Sequence, residues 1–575
     1  MTVNLLLQDH IRLIIATSQS LTTQSVRTLQ HCATFIRDTD LSSIPEVEIL
    51  RLADIFGRLS VVGYSSDQLG AFRLTSESEE SSVLYSDTGS DASVTPSSLS
   101  RSSSRAQRMR AEALRCMMHI FRKRADAVYD EWGAIALDVP DRPGLFTLAD
   151  TDPSPHVRRF ALHAVVALLH AKQLRSVDLR FPIAGSSYIG KEATAATVCR
   201  GCVAAVIKLL SPLSLGVPSA DRSSALGILP ELASLLPWRR FNDRQMIAEE
   251  LFAVLVPLLP ETTVLSAFGS ILPNCGSAIK IPAAIAIVEK CPASPATFEA
   301  VLGMLLIPTV AESFPCSSGV VKLLRKGLIP GTACVAAVKA AGEIKGVIQE
   351  ADEIDSVLED LFTLTKTVDD GPLLAEIVEA TGKLVTKQDS DQFILLVSDF
   401  LKKSARVRAS VAKAVATAVD ESSDSRCLEI LIKLLTDTCI DVQITAVREL
   451  SGYLEIVVRP KFDSEITETL LLLAKNDEVP GVRRERLRAD ALRSLGLVFT
   501  DSTSPSVKVK IVQLVIAGLS SKNQWGAAIS VVEKNLHFLA SSFEIEAGIR
   551  KLAADGKSKA AAVLSKWEAM TSLST

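Results

Sequence analysis

The feature that most constrains this chain is a helix–turn–helix phrase that returns every few dozen residues. Cys427 to Gly452 shows it in full. Leu428, Leu431, Leu434 and Leu435 recur at helical spacing, and a polar turn runs from Thr436 to Asp441. Val442 then opens a second helix carrying Ile444, Ala446, Val447 and Leu450. The preceding copy spans Phe393 to Leu401, turns over Ser404 to Arg406 and resumes at Val407-Arg408 with Val411, Ala412 and Val415. The following one spans Ile466 to Ala474, turns over Asn476 to Gly481 and resumes at Val482-Arg483 with Leu487, Ala491 and Leu495. One hairpin of this kind cannot bury its own apolar face. Stacked neighbours can, so the repetition predicts an all-α stack in which each unit touches only the next.

The second helices are expected to begin at Val335, Leu373, Val407, Val442, Val482, near Trp525 and near Ser558, with gaps of 38, 34, 35, 40, roughly 43 and roughly 33 residues. Spacing this loose is HEAT-like, whereas a strict tetratricopeptide period would bring fixed Trp, Gly and Tyr landmarks. An earlier copy ends a helix over Thr147 to Asp150, turns at Asp152-Pro153 and opens Val157-Arg158 through Leu169. The expected fold class is therefore an all-α, α-solenoid array of roughly twelve HEAT-like hairpins.

Its organisation reads as N-terminal helical repeats over 1–75, a disordered serine-rich insertion over 76–105, divergent repeats over 106–330 and clear repeats over 331–575. The insertion has too little apolar surface to offset its ordering entropy. In the divergent part, Pro230, Pro237, Pro257, Pro260, Pro273 and Pro282 are expected to interrupt or start helices, because no period-two alternation accompanies them.

Composition agrees: 47% of residues are hydrophobic but only 5% aromatic, so the apolar mass is the small aliphatics that pack helix on helix. The longest apolar runs, Leu251 to Pro260 and Ile281 to Val288, fall far short of the roughly 18 to 20 residues of a membrane span. Met1 to Ser18 lacks a basic start and carries Asp9 and Arg12, so it is not expected to be a secretory signal. With 62 basic against 66 acidic residues, net −4, no nucleic-acid partner is expected. Ten scattered cysteines fit reduced thiols, hence a cytoplasmic location with the nucleus also open.

Motifs that resemble chemistry each have a plainer reading. Gly185 to Lys191 fits G-x-x-x-x-G-K, but Glu192 replaces the magnesium-binding hydroxyl and no strand precedes it, so an inter-helix loop is expected. Cys199 and Cys202 lack the further ligands of a zinc site and read as thiols packed in a helix. His156, His163 and His170 share one helix face as a partly exposed neutral stripe, about 10 Å of rise apart and too distant for one metal. Arg101, Arg105, Arg108, Arg110, Arg115, Arg122, Lys123 and Arg124 read as a solvated basic face. Ser102, Ser103 and Ser104, among these arginines, are candidate phosphosites. No catalytic constellation, metal site or cofactor loop is evident, and the expectation is a protein that is not an enzyme.

In the repeats, Asp152, Ser404 and Asp441 are expected to cap second helices, with the following valine facing the core. Arg158, Arg408 and Arg483 then reach a neighbouring repeat's acidic turn residue. Such an inter-repeat ladder sets register more than stability, since exposed pairs contribute about 0.2 to 1 kcal/mol.

The run from Val442 through Glu455 to Val458, Ser464 to Asp477 and Val482-Arg483 resembles consecutive repeats of the scaffolding (A) subunit of protein phosphatase 2A. The overall length, and an end just past a last repeat helix, are similar to that family's; the resemblance covers roughly 330 to 575 best and fails at the serine-rich insertion. It implies a non-catalytic scaffold whose inner ridge of intra-repeat turns binds a phosphatase catalytic subunit towards the C-terminus and a regulatory subunit towards the N-terminus. The contacts it implies are Asp437, Asp441, Asn476, Glu478, Lys522 and Trp525. The alternative is another HEAT-repeat adaptor: a tubulin-folding cofactor, a nuclear transport receptor, or a coat or chromosome-organising subunit.

Overall fold

Apolar residues at helical spacing, broken by short polar turns, should give helices that bury one stripe each. The computed structural model bears this out over the residues it describes: 23–62, 96–139, 142–175, 191–211, 217–307, 317–331, 333–346, 350–369, 371–422, 425–456, 463–475, 481–499, 503–540 and 542–574. Among these, regular structure is helical, and strand-like pairing is confined to an isolated bridge between Val139 and Arg142. The chain divides into two compact units: Met1–Pro292 with Glu299–Val310, and Ala293–Phe298 with Ala311–Thr575.

In the first unit, α1 (Thr23–Asp38), α2 (Glu46–Leu59), α3 (Pro96–Arg124), α4 (Leu145–Thr151) and α5 (Pro155–Ala167) come first. They are followed by α6 (Lys191–Leu210), α7 (Ser219–Leu235), α8 (Arg244–Leu255), α9 (Thr262–Ile271) and α10 (Lys280–Lys290), with α11 (Pro295–Leu305) at the division. The long α3 is the organiser, packing on α1, α2 and α5 through Met109, Leu114, Ile120 and Phe121. It begins at Pro96, so the last ten residues of the segment expected to be disordered, 96–105, are helical. Proline suits a first helical position, where its missing N–H is not needed. Residues 76–95 lie outside the described residues.

The prolines of the divergent part act mostly at helix boundaries. Pro257 and Pro273 sit in 3-10 turns that finish α8 and α9, and Pro282 lies in the first turn of α10. Pro230 departs from the expectation, because it lies inside α7. It leaves the carbonyl four residues back, Leu226, without its usual amide donor.

The second unit is a run of hairpins. Its elements are α12 (Ser317–Lys326), α13 (Val335–Gly342), α14 (Ala351–Thr365), α15 (Pro372–Leu384), α16 (Ser390–Phe400), α17 (Ala405–Ser422) and α18 (Ser425–Leu435). Then follow α19 (Ile440–Ile456), α20 (Asp463–Lys475), α21 (Val482–Val498), α22 (Pro505–Ser520), α23 (Trp525–Lys534), α24 (Phe543–Ala554) and α25 (Ser558–Ser574). The expected second-helix starts at Val335, Val482, Trp525 and Ser558 match to the residue, and the other three fall within two residues.

Two layers result. First helices (α14, α16, α18, α20, α22) pack loosely on one another, whereas second helices (α13, α15, α17, α19, α21, α23) form the denser layer. Small residues explain the difference. A β-carbon placed on Gly342 would come within 3.0 Å of Ala380 Cα, and one on Gly382 within 2.5 Å of Ala414 Cα. The last hairpin turns at Gly556, whose φ of 78° suits glycine. Lys557 N–H bonds to Leu552 carbonyl at 3.1 Å and Gly556 N–H to Ala553 carbonyl at 3.0 Å, the paired C-terminal closure that a glycine there permits. The fold is thus an all-α solenoid of HEAT-like hairpins.

Candidate functional site

The hairpin geometry gathers the intra-repeat turns of the second unit at one end of its helices, and these turns are the candidate site. Asp437 shows how such a turn is held. Its Oδ1 accepts from Cys439 N–H at 2.7 Å and from Arg408 Nη2 at 2.9 Å, and its Oδ2 accepts from Arg408 Nε at 2.7 Å. Arg408 also donates through Nη1 to the Lys403 carbonyl of its own turn at 2.6 Å. The fork therefore ties the turn before α17 to the turn before α19. The Asp437 carboxyl loses solvation, yet the bonds from Arg408 and Cys439 outweigh this and hold its pKa below the ordinary value. It is nearly buried, so it serves the turn rather than offering a surface to a partner.

Arg483 differs from Arg408. It meets Asp441 on the preceding repeat at 2.8 Å, and both side chains are largely exposed. Val482 was expected to face the core but is 83% exposed, whereas Val157, Val407 and Val442 are fully buried. Helix phase explains it: the buried valines are third residues of their helices, but Val482 is the first of α21. Two residues at roughly 100° each turn the side chain to the opposite face. Asp441 likewise lies inside α19, pairing with Arg483 instead of capping.

Of the other expected contacts, Lys522 is exposed, and Trp525 is half-buried at the start of α23. Lys557 Nζ stands 5.3 Å from the Trp525 ring centroid, joining two successive turns. Asn476 and Glu478 lie outside the described residues. Ser404 directly precedes α17.

The first unit has its own version of the tie. Asp152 accepts from Ser154 N–H at 2.9 Å and from both arms of Arg110, Nε at 2.9 Å and Nη2 at 3.2 Å. Asp152 thus folds its turn, while α5 starts after Ser154 without a side-chain cap. Arg158 donates to Asp221 Oδ2 at 2.9 Å and to the Asp152 carbonyl at 2.6 Å.

The basic cluster on α3 is a solvated face only in part. Arg110 is buried, Arg122 forks onto Glu231, and Lys123 Nζ donates to the carbonyls of Ile36, Arg37 and Thr39 at 2.9, 2.6 and 2.6 Å. Arg124 Nη1 bonds the carbonyls of Leu41 and Ile44, both at 2.8 Å. Cations here satisfy carbonyls that the end of α1 and its following turn leave open. Arg115 lies near Glu112, while Arg105 and Arg108 are exposed. Ser104 is exposed, and nothing is described of the side chains of Arg101, Ser102 and Ser103. Arg110 could have been found in the sequence, because it falls on the stripe of Ala106, Ala113 and Met117.

The remaining motifs take structural places. Cys199 and Cys202 are buried free thiols on α6, with burial pushing Cys199 up to about 12 and Cys202 well above its ordinary value. Gly185 to Gly190 lie outside the described residues. The histidines do not form one stripe, because α5 ends at Ala167 and His170 sits in a 3-10 turn bonded to Glu231 at 3.1 Å.

His163 and His119 are held neutral by burial, and next by neighbouring arginines, with pKa lowered from 6.5 to about 4 in each. Burial raises the Glu231 carboxyl, but bonds from His170 and Arg122 overcome it, leaving about 2. These histidines contribute stability that is present above pH 6.5 and lost as pH falls towards 4, because the unfolded chain binds the protons first. The urea midpoint of the first unit is therefore expected to drop across that window, and His119→Gln with His163→Gln to flatten the drop. An unchanged midpoint between pH 7 and 5 would contradict it.

No helix among the described residues is long and apolar enough to cross a membrane. No family model matches the chain, and no curated protein does. Solved structures give distant likenesses. One is the karyopherin Kap121p bound to the extreme C-terminus of the protein phosphatase Cdc14p, 11% identical over 96% of this chain and 66% of that one, TM-score 0.49. Another is yeast importin-beta, Kap95p, 11% identical over 96% and 83%, TM-score 0.44. A third is an engineered protein, 19% identical over 74% and 95%, TM-score 0.30. Likenesses this distant carry no functional argument. The class rests on the helix pairing described above: an α-solenoid of HEAT-like hairpins.

Proposed function

We propose that this chain is a non-catalytic scaffold that docks protein partners along the intra-repeat turns of its second unit. The observation that carries this reading is the division of labour within those turns. Asp437 and Arg408 are consumed in holding successive turns in register, while Lys402, Lys403, Lys522 and part of Trp525 stay on the outside of that frame. A fixed row of turns with a charged rim and an aromatic anchor suits recognition of a protein surface.

For the occupant, the resemblance of Val442 to Arg483 favours a serine/threonine phosphatase catalytic subunit, with a regulatory subunit on the N-terminal turns. Mixing the purified chain with such a catalytic subunit is expected to give co-elution on size exclusion. Trp525→Ala with Lys522→Glu should weaken the complex by at least about 2 kcal/mol, the loss typical of an anchoring aromatic. Separate elution would remove the phosphatase and leave the broader adaptor reading, with tubulin, a transport GTPase or coat subunits as the next partners to assay.

A further inference from the structure

Helix α21 carries Arg483, Arg484, Arg486, Arg488 and Arg493 against only Glu485 and Asp490. Arg483 is engaged by Asp441 and Arg493 by Asp490. Arg484 and Arg488, one helical turn apart on the same face, instead line a half-open cavity of about 200 Å³ within the second unit. Nε and Nη2 of Arg488 are shut off from solvent and have no hydrogen-bond partner. Two of the three nitrogens of this half-buried guanidinium have thus lost water without gaining an acceptor, which is costly unless something else supplies one.

The rest of the lining is mixed, with Leu473 and Leu487 as its apolar wall. Thr438 and Gln443 contribute polar side chains, and Ile440 is the first residue of α19. Val442 and Gln443 N–H both bond to the Cys439 carbonyl, at 3.1 Å each. The amides of Ile440 and Asp441 are thus among the donors that a helix start leaves without an intrahelical acceptor, at the positive end of its dipole. Asp437 and Asp441 are already taken, by Arg408 at 2.7 Å and by Arg483 at 2.8 Å.

We propose that this cavity, lined by Arg484, Arg488 and the start of α19, binds the phosphate of a phosphorylated serine or threonine in a protein segment docked across the turns. The inference rests on the docking reading and deepens it by naming the chemistry of the segment. A phosphate brings close to two negative charges and three acceptor oxygens, enough for two guanidinium groups and a helix start together, where a carboxylate has two oxygens.

The test uses the full chain and three synthetic peptides, Gly-Gly-X-Gly-Gly with phosphoserine, serine or glutamate at X, with inorganic phosphate as a fourth ligand. The phosphoserine peptide is expected to bind at least about tenfold more tightly than its serine twin, roughly one charge-assisted hydrogen bond's worth. Arg484→Gln and Arg488→Gln should each erase that preference. Arg486→Gln should keep it, because Arg486 is exposed and lines a different cavity. Arg488→Met should melt no lower than the parent, since it removes two solvent-excluded donors that have no acceptor, so its loss of binding is not loss of fold.

Equal affinity for all three peptides, or a preference that survives both glutamine substitutions, would overturn the proposal. Glutamate binding as well as phosphoserine would overturn the choice of phosphate. Inorganic phosphate binding as tightly as the peptide would overturn the docked segment. The peptides need no phosphatase, so a failed scaffold assay and a failed anion site are read separately.

Discussion

Arg110→Ala is expected to cost the first unit about 3 to 5 kcal/mol, a large share of the roughly 5 to 15 kcal/mol that holds a domain folded. The substitution leaves Asp152, whose side chain is wholly buried, without the guanidinium that neutralises it. It also removes the donor to the Val62 carbonyl at 3.0 Å. Arg110→Lys should rescue little, because one ammonium cannot span both carboxylate oxygens and that carbonyl together. Replacing the pair by Met and Leu should recover part of the loss but not all, since Ser154 N–H would still lack its acceptor. Urea unfolding of the single and paired variants measures this, and a loss below about 1 kcal/mol for Arg110→Ala would place the pair among ordinary surface bridges.

Gly382→Val is expected to damage the second unit as specifically as Arg110→Ala damages the first. The closest obstacles to a β-carbon at Gly382 are Ala414 Cα at 2.5 Å and Ala414 Cβ and carbonyl oxygen, each at 2.6 Å. Backbone cannot swing aside as a long side chain can, so α15 and α17 must separate. Overpacking typically costs about 1 to 3 kcal/mol, and this contact lies in the densest seam of the layer, so the upper end is expected. Each hairpin touches only its neighbours, so the first unit's transition should stay in place while the second unit's moves to lower urea. Identical unfolding of variant and parent would mean that the two helices do not approach this closely.

Much of the architecture was legible because period and packing are the same fact seen twice. Val335, Val482, Trp525 and Ser558 were readable as helix starts because each follows a polar turn and opens an apolar stripe. Other features required knowing where a helix begins to within one residue. Val482 looked like Val407 by its neighbour arginine, but its helix starts two residues later in phase, which turned valine outward and sent Arg483 back to Asp441. The basic run on α3 was read as solvated because charge alone does not show which carbonyls lie within reach. Lys123 and Arg124 find theirs around 80 residues away in sequence, a pairing no local pattern records.

The site was less legible than the fold for a related reason. Asp437 and Asp441 are only four residues apart, yet the first is buried under Arg408 in the turn and the second lies in the first turn of α19, exposed and paired with Arg483. Arg488 is hidden in plain composition, one of five arginines on a helix. Its solvent-excluded nitrogens and missing acceptor exist only once α19 and α21 are packed together.

The most direct test of the scaffold reading is cross-linking mass spectrometry on the complex captured from the protein's own cells with a lysine-reactive reagent. Partner cross-links are expected at the intra-repeat turns, on Lys366, Lys402, Lys403 and Lys522, all exposed at that end of the hairpins. They should be sparse at Lys387, equally exposed at the opposite end, between α15 and α16. Partner cross-links concentrated on Lys387, with the turn lysines unmodified by any partner, would contradict the account.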